Sequence, residues 1–425
     1  MSINNVTASV IIPTHNRCVS LQRLLLALSL QTYPLDELEV IVVADGCVDE
    51  TMNMLQAFTP NYRLRIFEQT GQGPAAARNY GASHAVGNIL IFLDDDMEPC
   101  PVLVKAHIEI HQKHRSVAGV GYYPPVLSSQ HGFFKIQLRA WWQKFFQVMR
   151  QPEHRFNYQD LLTGNVSLAT ETFAKTGGFD QKLNVHEDYE FGIRLLKAGM
   201  TFVFIEDAFA WHHEGSDLNH VFERKYHEGQ ADILIGRRHP DVIKALPLAS
   251  MMARQSLPWR VVKLFAFQFP RLGDTLAWAF RSLLIPLEWM RMRGRWQWLL
   301  DILLSYWYYR GIAIELQDWK SVLRFMKKDL LSTDIRDCEI EIDLTHGLDE
   351  AELRLDREKP ASAIIRYDHY LIGHIPPQPA TESLKGHHLR PILATQFAKQ
   401  ILRILGLKTA KAAMKDSPNP SSLVP

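Results

Sequence analysis

The run "GNILIFLDDDMEP", residues 87–99, carries five apolar residues straight into Asp94, Asp95 and Asp96. Three adjacent carboxylates repel one another, and the repulsion grows in the low-dielectric surroundings that Ile89 to Leu93 imply. A positive group is therefore expected among them. A second acidic pair, Glu187 and Asp188 in "HEDYE", opens a segment whose apolar positions Tyr189, Ile193 and Leu196 follow helical spacing, with Gly199 suited to its end. Carboxylates in a first helical turn are favoured by the macrodipole, which by itself accounts for the pair. The same place also keeps a carboxylate ionised and ready to accept a proton. Arg78 in "AARN" is a candidate for meeting a phosphate or for a salt bridge.

The elements that must position these groups alternate along the first 100 residues. Strands are expected over Ser9 to Pro13, Leu38 to Ala44, Leu64 to Gln69 and Asn88 to Leu93, and the first, second and fourth are nearly continuous aliphatic runs. Such runs fit parallel strands covered on both faces. A helix-period segment, "VSLQRLLLALSLQ", lies between the first two, with Ser20 placed to cap it, and "AAARNYGASHAVG" joins the third and fourth. This is an α/β pattern with a Rossmann-like, mainly parallel sheet. Ligands bind such sheets at the carboxyl ends of the strands, here "PTHNR", "ADGCVD", "EQTGQG" and "LDDDMEP".

Composition narrows the classes. The 425 residues are 47% hydrophobic and 22% charged, enough for a sizeable core plus smaller parts. A net charge of +1 provides no general basic field, so no nucleic-acid partner is expected. Cys18, Cys47, Cys100 and Cys338 are widely spaced without a Cys-x-x-Cys pair, which argues against a disulfide framework or thiolate zinc site and fits a reducing compartment. The start "MSINNVTASVIIPTHNR" lacks secretory-signal features. The expected location is cytoplasmic, at the inner face of the membrane.

Five stretches in order resemble the family 2 glycosyltransferases, nucleotide-sugar-dependent enzymes of the GT-A fold: "SVIIPTHNR", "VIVVADGCVDET", "GQGPAAARNYGASHAVGNILIFLDDDMEP", "LLTGNVSLATETFAKTGGFDQKL" and "HEDYEFGIRLLKAGM". They span roughly residues 9 to 200. The resemblance implies that His15 packs on the nucleobase and Asp45 reads its edge, with Pro13, Asn16, Arg78, Asp94 and Asp95 completing the donor nucleotide site. It further implies that Asp94 and Asp96 are the Asp-x-Asp metal motif, that one of His212 and His213 ligates the metal or touches the diphosphate, and that Asp188 is the catalytic base with Glu187 in reserve. Ala44 and Cys47 depart from the family's usual Asp-Asp-Gly-Ser. Thr163, Gly164 and Asn165 are expected on the acceptor side. The chemistry agrees: a leaving diphosphate needs neutralising, Mg²⁺ or Mn²⁺ does so as a Lewis acid, and one or two carboxylates suffice to hold it beside substrate phosphates. The expected function is inverting sugar transfer from a nucleoside diphosphate sugar to a lipid-linked or cell-surface glycan acceptor.

Two other classes compete. "GQGPAAA" after a strand reads as Gly-x-Gly-x-x-Ala, with Asp94 at about 20 residues' spacing, the pattern of an NAD-type dinucleotide-binding oxidoreductase. Pro74 weakens that reading by removing a helix-start N–H. A non-catalytic sugar-nucleotide-binding scaffold would not need both the aspartate cluster and Glu187-Asp188.

The sequence divides into a catalytic domain over 1–240, a Trp-rich helical segment over 241–330, a small α+β appendage over 331–412 and a disordered tail over 413–425. Residues 259–320 hold seven of the ten tryptophans (259, 278, 289, 296, 298, 307 and 319) beside nine Lys/Arg and five Asp/Glu. Peripheral contact with a membrane is expected there, or packing within a helical subdomain. "HLRPILATQFAKQILRILGL" is expected to be one amphipathic helix.

Overall fold

The computed structural model describes residues 7–114, 116–126, 132–327 and 339–415. These fall into two compact units, one of residues 1–149 and 156–331, the other of 150–155 and 332–425. Cys338 and the tail beyond residue 415 lie outside the described residues.

The first unit is α/β. Its strands β1 (Ala8–Thr14), β2 (Leu38–Asp45), β3 (Arg63–Gln69), β4 (Ile89–Leu93), β5 (Met97–Pro99), β6 (Val117–Tyr122), β7 (Asn165–Ala169) and β8 (Thr201–His212) form one sheet ordered β3-β2-β1-β4-β7-β6-β8-β5. β1 and β2 are buried along their whole length, as their continuous aliphatic runs require. β3, β2, β1 and β4 pair in parallel. The sheet is mainly parallel, as expected, with two antiparallel members: β7 runs antiparallel between β4 and β6, and β5 antiparallel beside β8, while β6 and β8 are parallel.

The helices α1 (Cys18–Leu28), α2 (Thr51–Ala57), α3 (Pro74–His84), α4 (Leu103–Lys113), α5 (Phe133–Met149), α6 (Thr170–Thr176), α7 (Glu187–Lys197) and α8 (Leu218–Arg238) connect these strands. Leu21, Leu24, Leu25 and Leu28 bury one face of α1 at three-to-four spacing. Ser20 does not cap it: the helix starts two residues earlier, with Arg17 at the N-cap and Asp49 Oδ2 accepting from the Cys18 amide at 3.3 Å. Gly199, at φ +76, ends α7: its amide reaches the Leu196 carbonyl while that of Met200 reaches Leu195, a Schellman closure.

Helices over Leu257–Phe267, Pro270–Arg281, Leu284–Trp289 and Arg293–Leu316 also belong to the first unit. The last packs so tightly on α8 that a Cβ at Gly311 would lie 1.9 Å from the Tyr226 carbonyl oxygen. Among the described residues, no helix is long and apolar enough to cross a membrane.

The second unit is α+β, as expected. β9 (Glu339–Asp343) and β10 (Ser362–Tyr367) are parallel, joined by the helix Leu348–Glu358, and β11 (Tyr370–Ile375) returns antiparallel on β10. Ile342, Leu355, Ile365, Leu389 and Ile392 centre its core. The expected single helix is two, Gly386–Gln396 and Ala398–Lys415, broken at Phe397.

Candidate active site

The parallel register opposes Thr14 to Ala44 and Asp45 to Gln69, so the loops after β1, β2 and β3 meet at one sheet edge. There they lock one another. The His15 Nδ1–H donates to the Asp45 carbonyl at 2.6 Å, leaving Nε2 to accept from Asn16 Nδ2 at 3.0 Å; these partners fix one neutral tautomer on an exposed ring. Asn16, at φ +53, accepts from the Val48 and Asp49 amides at 2.7 and 3.2 Å. Cys47, standing where the family pattern has Ser, donates its Sγ–H to the Thr14 carbonyl at 3.6 Å. Pro13, expected among the donor contacts, is buried inside β1.

The Asp45 carboxylate accepts from Gln69 Nε2 at 2.8 Å and from the Gln72 and Gly73 amides, each at 2.7 Å. It thereby ties down the β3–α3 loop, which approaches so closely that a Cβ on Gly46, at φ +68, would sit 3.0 Å from the Gly71 nitrogen. Base-edge reading would have to share these bonds. The same bonds occupy amides that a dinucleotide pyrophosphate would need, which counts against the oxidoreductase pattern.

The three aspartates have separate partners. Asp94 Oδ1 accepts from Arg78 Nη2 at 2.6 Å. Asp95 Oδ2 accepts from the Thr14 hydroxyl at 2.7 Å and Oδ1 from Arg17 Nη1 at 3.1 Å; burial nonetheless lifts its pKa to about 6. Arg17 Nη1 also meets Asp96 Oδ2 at 2.7 Å. So the expected positive group is present as a side chain, Arg17, half exposed across Asp95 and Asp96. Burial pushes Asp96 upward, but His212 and Arg17 outweigh it and hold its carboxyl below the usual range.

Arg78 is not free for a phosphate. It is buried, with Nη1 donating to Glu187 Oε1 at 2.8 Å while Nη2 holds Asp94. Burial would lower its pKa, yet the two carboxylates outweigh that and keep it charged. The neighbouring Asn79 exchanges two bonds with Phe179, each 2.8 Å, pinning the "GGFD" loop. The dipeptide Arg78-Asn79 therefore ties the aspartate cluster, that loop and the start of α7 together.

At the start of α7, His186 takes a left-handed conformation (φ +62) and stacks on Tyr189 at 4.3 Å. Its Nδ1 lies 3.3 Å from Asp232 Oδ1 on α8, an ion-pair distance without hydrogen-bond alignment. Asp188 accepts only from the Tyr189 amide at 2.8 Å among side-chain bonds of the described residues. Burial, then the Glu187 charge, raises its pKa to about 6, against the pull of His186 and Arg224. A base is active when deprotonated, so kcat/KM for the proposed transfer should fall tenfold per pH unit below about 6, not below about 4 as for an ordinary aspartate. Asp95 shares that range; Arg17→Gln, which strips a lowering charge from Asp95 but not from Asp188, should leave this limb in place if it belongs to Asp188.

Strand pairing separates the two histidines. β8 runs to His212, with a shift that opposes Tyr122 to Phe209, and β5 opposes Met97 to His212. Strand alternation then sends successive side chains to opposite faces. His212 Nε2 stands 3.6 Å from Asp96 Oδ2, its ring edge-on to buried Trp142 at 5.2 Å. His213 turns to Glu98, 2.6 Å away.

Gly164 lies behind the cluster, its carbonyl accepting from the Asp94 amide at 3.3 Å, and Thr163 is buried. Asn165 cannot face an acceptor: it is wholly buried, accepting from His107 Nε2 at 2.8 Å and donating to the Ala208 carbonyl at 2.7 Å. Two clefts of about 630 and 520 Å³ share Asn79 and Gln181 in their walls, and neither is lined by the three aspartates.

Among the described residues, no three His, Cys, Asp or Glu side chains stand grouped to enclose a metal ion. The donor set nevertheless fits a cation shared with substrate phosphates. Asp96 Oδ1 and His212 Nδ1 are buried without partners, and Asp94 is partly exposed. A carboxylate oxygen only accepts, so burying it unpartnered is costly until a cation arrives.

Arg17, Asn79, Trp142, His186 and Asp232 escaped the sequence reading; Arg17, Asn79 and His186 adjoin Asn16, Arg78 and Glu187, which it singled out.

Comparison with known proteins adds an independent line. Residues 9–174 match the model described as Glycosyl transferase family 2, and residues 106–309 that of Glycosyl transferase family group 2. Among curated relatives, the validoxylamine A glucosyltransferase of Streptomyces hygroscopicus subsp. jinggangensis is 31% identical over 269 residues, covering 56% of this chain and 62% of the relative. The chondroitin synthase of Escherichia coli is 28% identical over 48% of this chain and 34% of its own length. The chain spans 58 to 64% of the length of the first curated relatives it matches. Of solved structures, the mannosyltransferase PcManGT of Pyrobaculum calidifontis, in complex with GDP-Man and Mn2+, is similar at 19% identity and a TM-score of 0.47, over 71% of this chain and 86% of that one. The two overlapping family matches and the motifs they enclose support a family 2 glycosyltransferase.

Proposed function

We propose that the chain is an inverting glycosyltransferase, moving a hexosyl group from a nucleoside diphosphate sugar to a hydroxyl of a glycan or lipid-linked acceptor. The observation that carries this reading is the Arg78 bridge, which sets the aspartate cluster beside the start of α7, where Asp188 stands. Glu187 is neutralised by Arg78 and acts as a positioning group, so Asp188 is the base. The acceptor hydroxyl gives its proton to Asp188, its oxygen forms a bond to the anomeric carbon, and the bond from that carbon to the diphosphate oxygen breaks with both electrons leaving on the diphosphate. Glu187 is tied to Arg78 rather than free to act as a nucleophile, which supports inversion.

Asp94 and Asp96, with His212 beside them, would hold Mg²⁺ or Mn²⁺, which neutralises charge on the leaving diphosphate. The exposed His15 ring, held by Asp45 and Asn16, would stack on a base. Relatives named for glucosyl transfer and chondroitin synthesis support a sugar as the group moved. Cys18, Cys47 and Cys100 are free thiols, which supports a reducing, cytoplasmic setting.

The test is thermal stabilisation by a panel of nucleotide sugars, each with and without Mn²⁺ or Mg²⁺, with NAD as the competing ligand. At least one nucleotide sugar should raise the melting temperature only with metal, and NAD should not. Stabilisation by NAD alone would overturn the reading.

A further inference from the structure

The helical segment exposes an apolar surface that its fold does not use. Between Trp278 and Trp298, Ile285 is 76% exposed, Trp289 84% and Trp298 57%, and Trp278, Phe280, Leu283 and Met290 are also exposed. Trp296 is the opposite case: it is wholly buried, edge-on to Phe133 at 5.6 Å, and belongs to the core.

Charge on this stretch is predominantly positive. It holds Arg281, Arg291, Arg293 and Arg295 and a single acid, Glu288, whose carboxylate accepts from the Phe133 amide at 2.6 Å. That bond joins the stretch to α5. α5 carries Lys135, Arg139 and Lys144 and no acid, and leaves Ile136, Trp141 and Val148 exposed.

We propose that residues 278–298, with the outer side of α5, form a docking face for an anionic phospholipid bilayer. Ile285, Trp289 and Trp298 enter at headgroup depth, and the arginines lie against lipid phosphates. Apolar side chains this exposed lose contact with water on insertion, and interleaved arginines with a single acid among them suit a negatively charged lipid surface. Among the described residues no helix crosses a membrane, so the contact is interfacial. α5 also gives the face a route to the candidate active site, since its inward Trp142 touches His212. The consequence, resting on the transferase reading, is that a lipid-linked acceptor would arrive beside the aspartates.

The experiment is flotation of the full chain with phosphatidylglycerol-containing vesicles against pure phosphatidylcholine vesicles, with tryptophan emission recorded. It does not depend on activity, so its failure leaves the transferase reading untouched. Wild type should float with the anionic vesicles, bind neutral ones less, shift its emission to the blue, and partially release in salt. Arg291→Gln/Arg293→Gln/Arg295→Gln should weaken partitioning about a hundredfold, from about fivefold per arginine near an anionic surface. Ile285→Ser/Trp289→Ala should reduce the emission shift while circular dichroism and melting temperature stay unchanged, as these side chains are exposed. No flotation at low salt would overturn the proposal. So would a dimer that the same substitutions convert to monomer without any vesicle binding, which would identify the face as a contact between copies.

Discussion

Asp188→Asn is expected to lower sugar transfer by about a hundred- to ten-thousandfold, the contribution of a positioned general base, and to leave metal-dependent donor binding unchanged. The separation follows from geometry. Asp188 serves the acceptor hydroxyl, whereas the donor diphosphate belongs to Asp94, Asp96 and the loops at the parallel sheet edge. Asparagine keeps the size and still accepts from the Tyr189 amide through its carbonyl, so the start of α7 should persist. Glu187→Gln is the informative companion. It removes the charge that Arg78 Nη1 grips at 2.8 Å, so it should disturb donor binding and rate together. Near wild-type transfer by Asp188→Asn, with transfer lost in Glu187→Gln, would exchange the two roles.

Asp96→Asn carries the second large effect. Metal-dependent affinity for the donor should fall by at least about a hundredfold, the upper range for losing an outer-shell partner of a metal. The variant removes the charge of a carboxylate whose Oδ1 is buried and unpartnered and whose Oδ2 faces both Arg17 and His212. Asp94→Asn should cost less, because Asp94 is more exposed and already shares Arg78 with Glu187. Isothermal titration with the donor found by the thermal screen, in Mn²⁺ and in chelator, reads both variants. Affinity unchanged in both would remove the metal from the account.

The half of the fold that was legible in sequence is the half in which neighbouring strands follow one another closely. β1, β2 and β4 are buried on both faces, and their unbroken aliphatic runs say so without any knowledge of partners. β7 was not legible as an antiparallel insertion between β4 and β6, because pairing Leu93 with Asn165 depends on long-range register that no local pattern encodes. The same holds for His212. Its place beside Asp96 comes from the shift in β8 and the three-residue β5, so "AWHHEG" alone could not distinguish it from His213. Trp296 could not be told from its exposed neighbours for a related reason. The helix Arg293–Leu316 buries residues around much of its circumference, including Trp296, Leu299, Leu300, Leu303, Tyr306 and Tyr309, so periodicity marks no outward side. Arg17 was invisible as the partner of Asp95 and Asp96, since nothing local links residue 17 to residues about 80 positions away.

The claim at the centre is a single displacement driven by one carboxylate base, and the configuration of the first-formed sugar tests it most directly. With the donor and Mn²⁺ supplied and water as the surrogate acceptor, proton NMR during the first turnovers distinguishes the two anomers before they interconvert. The account predicts that the sugar first released carries the opposite anomeric configuration to the donor, and that Asp188→Asn releases none above background. A first-formed sugar of retained configuration would contradict it.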